Sequence, residues 1–448
     1  MPAAPISTSE FVTPRPIAGY RVVGTAFLLA VFAWGHGFYG LSVYVQFLGG
    51  PDGWSPTLLS AATTFYFVLG ALAMLATERL SARVPWRRLS ATGVVLMSVS
   101  TSALAWAPNA VLLFIAYAAM ACAWAACSGT AVNGIVGEWF DARRGMAASI
   151  ALTGASFGGI VVVPLFVFAI GHLGVGPGIA TVSMLLALAM LVLIQLNLVA
   201  PIAVDGEASP ARPMGSAAAP ADSATMTDAA TMTDAATMTD AATMSDAATT
   251  TVDEGAPLAD GPPLRQLAPV CALFAIGWYA QAGFLALQIP ILAPRIGEID
   301  AAAAVAATTG AAIAGRLLLG LLIDRLDHRV ATAASYLLQA GGMGVLLVAD
   351  TKFGVFAGCM LFGLSVGNII TLPTLFAQRE FATRHYGRVI ARIWSIGQLV
   401  FAFGPVSAGL VLAAAGSSGP AIAGCAACQL LAALLCLYRV RGPADTGR

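Results

Sequence analysis

In the stretch AAIAGRLLLGLLIDRLDHR, Ala311 to Arg329, every residue up to Ile323 is apolar or small except Arg316. A guanidinium stays charged in any protein environment, and its planar fork of N–H donors matches a carboxylate in two parallel hydrogen bonds. Other side chains suit neighbouring tasks. His36, in WGHGFYG, titrates near neutrality and is a candidate proton carrier or ligand contact. Trp278, Gln281, Leu285 and Gln288 recur at helical spacing and share one face, which two amides would make wet. Asn133, Asn368 and Tyr39 are further candidates for contact with a polar ligand, although the amides suit interhelical hydrogen bonding equally well. A third group clusters at the ends of apolar runs: Glu78, Arg79, Glu138, Arg143, Arg144, Asp324, Arg325, Arg329 and Glu380. Ion pairs among these are candidates for a gate, with Glu138 expected to pair with Arg143 or Arg144 and Glu380 with Arg388 or Arg392. No nucleotide-binding G-x-x-x-x-G-K-[ST] loop, metal cluster or nucleophile–base set is present in the sequence, so an enzyme is not expected, nor a cofactor, nor a nucleic-acid partner.

The elements that must hold these residues follow from composition. Of 448 residues, 58% are hydrophobic and only 10% charged, with a mean hydropathy of +0.84. Soluble domains carry about 25% charged residues, so this chain is expected to be an integral membrane protein. A spanning helix needs about 20 apolar residues. Twelve such runs lie near 22–47, 55–77, 89–107, 109–133, 146–170, 177–199, 267–293, 301–323, 331–349, 353–375, 391–413 and 419–438. The first is expected to be an uncleaved span. Arg79, Arg83, Arg87, Arg88, Arg143 and Arg144 fall in the second and fourth connections, and Arg325, Arg329, Arg379, Arg384 and Arg388 in the eighth and tenth. Connections on the other side hold only Arg295 and Lys352. The excess of positive charge puts both termini in the cytoplasm. Cys122, Cys127, Cys271, Cys359, Cys425, Cys428 and Cys436 all sit in apolar runs and read as small hydrophobes.

Arg316 then acquires a depth. It lies eight residues, about 12 Å of helix, from the charged end at Asp324, close to the middle of a hydrocarbon core roughly 30 Å thick. A charge there is costly and is expected to face a partner or a polar path. None of the 22 acidic residues lies deep inside a predicted span, so an anionic ligand is the expected counter-ion; backbone carbonyls, polar side chains and water are the structural alternative.

The chain divides into a tail (1–20), six spans (21–199), a polar stretch (200–265), six more spans (266–438) and a second tail (439–448). The polar stretch carries ATMTDAATMTDAATMTDAATMSDAAT, with Asp228, Asp234, Asp240 and Asp246 in register. It has no aromatic residue to build a core and is expected to be a disordered cytoplasmic linker. The halves echo one another: TERLSAR at Thr77 to Arg83 matches IDRLDHR at Ile323 to Arg329, and GEWFDARRG at Gly137 to Gly145 matches REFATRHYG at Arg379 to Gly387. Duplicated bundles of this kind hold a ligand near the midplane between the repeats.

These residues resemble the major facilitator superfamily. G-R-x-x-x-G-x-x-x-D-R-x-x-x-R from Gly315 to Arg329, and WFDARRGMAASIALTGASFGG from Trp139 to Gly159, are similar to its monocarboxylate-transporter-like branch. The resemblance implies an all-α membrane fold of two pseudo-symmetric six-helix bundles and alternating access. It implies a secondary transporter of a small organic anion, a monocarboxylate by preference, with Arg316 as the anion contact and protons as a candidate co-substrate. A monomer in a bacterial inner membrane is the corresponding expectation. Ala312 stands where the branch has its helix-8 acid, and Ser42 aligns loosely with a lysine, so another group would have to carry a proton. An efflux pump for apolar or cationic compounds, or a non-transporting membrane sensor, is the alternative.

Overall fold

The computed structural model describes residues 16–49, 53–140, 144–198, 264–322, 325–382 and 385–437. The expected linker at 200–265 and most of both tails lie outside them. Twelve helical rods follow in order. α1 runs Pro16–Trp34, passes through a π turn at Gly35–Tyr39 and continues as Gly40–Leu48; α2 is Pro56–Ser81 and α3 is Trp86–Leu104. α4 is Ala110–Cys127 and Gly129–Trp139; α5 is Arg144–Phe157, a π turn at Gly158–Val162 and Val163–Leu173; α6 is Val175–Asn197. α7 is Leu264–Ala286 and Gln288–Ile296, α8 is Glu298–Leu322, and α9 is His328–Val348. α10 is Lys352–Val366 and Asn368–Glu380, α11 is Tyr386–Ala402 and Gly404–Ala415, and α12 is Ser418–Leu437. Ten of these are long and apolar enough to cross a membrane, and the two pieces of α10, bent by 41°, make an eleventh. α3, with two arginines in its first turn and a hydroxyl-rich second half, is the least apolar rod.

Local chemistry sets the rod ends. Ser55 accepts from Leu58 N with Pro56 at the first helical position, Asn109 accepts from Leu112 N, and Asp327 accepts from Arg329 N and Val330 N. The breaks also have identifiable causes. Pro290 and Pro405 lack the N–H that would bond Ala286 and Phe401, and the helices interrupt at Leu287 and Phe403 just beyond. The π turns of α1 and α5 lie side by side, since a methyl group at Gly158 would fall 2.6 Å from Gly35 N. Such turns often mark functional positions inside otherwise regular helices.

Much of the outer surface is apolar. Leu185, Leu188, Leu317, Leu321, Val348 and Phe353 are exposed, as lipid contact requires. With lipid tails outside, burial supplies little drive for helix association, and close packing with internal polar contacts must supply it. The structure uses both. Gly154 lies against Phe27 O, Gly283 against Gly404, and Gly363 against Thr308 O, at separations no side chain would permit. Buried hydroxyls such as Thr63, Thr308, Thr332 and Ser335 donate back to carbonyls four residues earlier.

The two halves meet chiefly through α5 with α8, α2 with the second piece of α11, and the last turns of α1 with the second piece of α7. These contacts favour the face opposite the arginine-rich connections. On that face Gln46 Nε2 donates to Glu298 Oε1 across the halves at 3.4 Å.

Candidate functional site

Arg316 is positioned by a glycine-lined crossing. A methyl group at Gly315 would lie 1.6 Å from Leu364 O, one at Gly363 would lie 2.3 Å from Thr308 O, and one at Gly367 would lie 2.8 Å from Ala312 O. α8 and α10 therefore touch backbone to backbone, and the guanidinium beside Gly315 is laid onto the break in α10. The same methyl at Gly367 would sit 3.1 Å from Arg316 Nε and 3.3 Å from Nη2. Arg316 is half-buried, so its fork is not sealed in the bundle. Asn368, the first residue after the break, donates through Nδ2 to Leu364 O at 3.3 Å. Its Oδ1 is buried with no hydrogen-bond partner among the described residues.

The other half supplies the opposite wall. Tyr39, in the π turn of α1, lies within electrostatic reach of Arg316. A methyl at Gly159, in the π turn of α5, would meet Thr309 Cγ2 at 2.5 Å and Tyr39 Cδ2 at 3.1 Å. Tyr39 and Gly159 from the first half thus adjoin Thr309 from the second, with Arg316 within electrostatic reach of Tyr39. Of the residues expected from sequence, Arg316, Tyr39 and Asn368 come together here; Gly159, Thr309 and Gly367 were not anticipated as members.

Other expected contacts lie elsewhere. Gln281 is 1% exposed and accepts from Gln339 Nε2 at 3.3 Å, while Gln339 accepts from Gln429 Nε2 at 2.7 Å. This amide chain ties α7 to α9 and α12 inside one half. Gln288 donates to Thr308 Oγ1 at 2.7 Å, tying α7 to α8. Trp278 and Leu285 on the same face are also buried, so the expected wet surface is a packed one. His36 is fully buried in the first half, with Nδ1 2.9 Å from Phe32 O and its ring 4.3 Å from Phe32 and 5.2 Å from Phe166. That Nδ1 donates to the carbonyl, leaving Nε2 as an acceptor with no partner among the described residues. His36 therefore sits in an aromatic box formed by Phe32 and Phe166. Asn133 is half-buried on the second piece of α4.

The charged ends are also rearranged relative to expectation. Among the described contacts, Glu380 has Arg329 and His328 as its partners and not the expected Arg388 or Arg392. It receives Arg329 Nε and Nη2 at 2.5 Å each and contacts His328 Nε2 at 2.7 Å. Arg329 also donates to Cys436 O at 2.8 Å, so among the described contacts the cluster binds α9, α10 and α12 of one half. The first half repeats the arrangement in weaker form: Glu138 accepts from Trp86 N, at the start of α3, at 3.5 Å. Trp86, Gly134 and Glu138 stand at the same chain offset from His328, Phe376 and Glu380, and each acid holds the start of the helix preceding its own. Arg79 and Arg325 are exposed. Asp324 and Arg143, and the side chains of Glu78 and Arg144, lie outside the described residues.

The sequence matches the family model of the Major Facilitator Superfamily over residues 23–405. A comparison with curated proteins finds no match. Among solved structures, the chain is similar to a bacterial homologue of the human lysosomal transporter Spinster, crystallised in an inward-facing and unoccupied conformation. The TM-score is 0.61 at 14% identity, over 95% of this chain and 96% of that one. At that identity the likeness speaks to the fold. The family match spans most of the chain, which belongs to the Major Facilitator Superfamily. It is a multi-pass membrane transporter rather than an enzyme, and a small molecule and the lipid bilayer are its partners.

Proposed function

We propose that this chain is a secondary transporter of a small organic anion, a monocarboxylate by preference, bound at Arg316 and moved by alternating access. The observation that carries this reading is the placement of the guanidinium: half-buried, laid on the break of α10, and within electrostatic reach of Tyr39 of the other half. Charge and fork geometry favour a carboxylate there, and the neighbouring Asn368 Oδ1 would accept from a hydroxyl on the same ligand. A single arginine at this layer suits one carboxylate better than two. The inner membrane of a bacterium, with both termini cytoplasmic and a monomeric chain, completes the proposal on the positive-inside pattern.

The experiment is uptake by proteoliposomes across a panel of mono- and dicarboxylates, with and without a pH gradient, for the native chain and Arg316→Ala. Monocarboxylate uptake that disappears in the variant supports the reading. Uptake that survives Arg316→Ala, or a preference for cationic or neutral apolar compounds, overturns it. Dependence on the gradient would make the transport proton-coupled.

A further inference from the structure

The halves of this molecule cross at two pseudo-symmetric places, and the two crossings are filled differently. Where α5 meets α8, Gly159 lies against the small side chain of Thr309, a methyl there falling 2.5 Å from Thr309 Cγ2. Phe401 and Phe67 occupy the positions related to these by the internal duplication, where α11 meets α2. There the two rings pack edge to face with centroids 5.1 Å apart. Phe38 of α1 completes the set, 6.4 Å from Phe401 in near-parallel orientation and 6.3 Å from Phe67. Phe401 is 1% exposed although its partners Phe38 and Phe67 belong to the other half. It is a knob from one bundle held in a socket of the other.

A second layer lies farther along the same crossing. A methyl at Gly409 would fall 2.2 Å from Ser60 Oγ, and Ser60 is fully buried. Ser60 precedes Phe67 by seven residues and Gly409 follows Phe401 by eight, so the layers are about 10–12 Å apart along antiparallel helices. Phe38 adjoins Tyr39, whose ring is 5.0 Å away, and Tyr39 is within electrostatic reach of Arg316.

We propose that Phe401, seated between Phe38 and Phe67, is the knob of a gate closing the Arg316 layer from the face that carries Gly49 and Trp54. Opening toward that face turns the halves about the Gly159–Thr309 contact, where a glycine meets one small side chain in place of interlocked rings, and withdraws the knob. The Ser60–Gly409 contact opens with it.

Thiol accessibility tests this without any substrate, so its outcome is independent of the anion reading. Ser60→Cys is introduced into a chain whose seven native cysteines are replaced by serine. A membrane-impermeant maleimide is applied from the Gly49–Trp54 face. The thiol at position 60 is protected when Phe401 is present. Adding Phe401→Ala raises the labelling rate about tenfold, the factor that corresponds to about 1.4 kcal/mol of lost ring packing. Phe401→Leu, which retains a bulky knob, keeps most of the protection. Phe38→Ala leaves α11 untouched and gives the same increase as Phe401→Ala, so the test holds even if the latter inserts poorly. Rapid labelling with Phe401 intact, or labelling unchanged by both alanine variants, overturns the gate.

Discussion

Arg316 and His36 are both lone polar residues in apolar helices, yet their surroundings differ. Arg316 lies on an interrupted backbone between the halves, whereas His36 is enclosed by Phe32 and Phe166 within one half. Arg316→Lys keeps the charge and loses the fork. It should raise the KM for a monocarboxylate about tenfold or more, the scale of losing one charge-assisted hydrogen bond. Unchanged KM in an uptake assay would mean that the fork does not hold the ligand. His36→Gln preserves a donor for Phe32 O and should leave the pH profile of uptake where it was. A flattened profile would return His36 to the role of proton carrier. That Arg316 sits on a long apolar helix near its charged end was legible, because the apolar run and its charged break mark the helix directly in the sequence. The surroundings of His36 and Gln281 were not, because periodicity gives a face without naming what covers it.

Elements here are held in place by residues that remove side chains as much as by those that add contacts. Gly315 sets how closely α8 approaches α10, and so where the guanidinium of its neighbour lies. Gly315→Ala puts a methyl into Leu364 O, and the backbones must separate. The expected cost is about 1–3 kcal/mol, read as a lowered Tm in detergent, together with weakened uptake because Arg316 moves off Gly367. A variant with native Tm and native uptake would mean that the crossing is more compliant than its geometry implies. At the charged end, Glu380→Ala removes the carboxylate that pairs with Arg329 and His328, whose side chains are 15% and 8% exposed, a loss on the order of 3 kcal/mol. Glu138→Ala should lower Tm far less, since Trp86 N is its partner at 3.5 Å. Equal effects of the two substitutions on Tm would contradict the asymmetry. The sequence echo between the loops of the two halves pointed to this duplicated arrangement. It could not pair Glu380 with Arg329, because the partners are brought together only when α9 and α10 pack. Phe401 was equally silent, since a phenylalanine in a spanning helix reads the same whether it faces lipid or the opposite bundle.

At the scale of the molecule, two helical bundles are joined in one chain, and the rocking proposed for them depends on the joint between them. Among the described residues, the contacts that join the halves are supplied chiefly by α1, α2, α5, α7, α8 and α11. The chain between α6 and α7 therefore need only span the distance from Asn197 to Leu264. Removing residues 222–250, the acidic repeat, leaves on the order of 35 residues in that connection. At roughly 3.3 Å per extended residue these reach about 100 Å, many times the roughly 10 Å diameter of a helix. Closure entropy changes by less than about 0.6 kcal/mol for a halving of loop length, too little to bias the rocking equilibrium. The deletion should therefore leave initial uptake rates in proteoliposomes within about twofold of the native chain. It should also leave Ser60→Cys as protected as before, because the Phe401 knob and the Ser60–Gly409 contact lie wholly within the bundles. Loss of uptake in a stably inserted deletion variant would show that the repeat acts on the halves directly. Lost protection at position 60 would further place that action at the gate and not at Arg316.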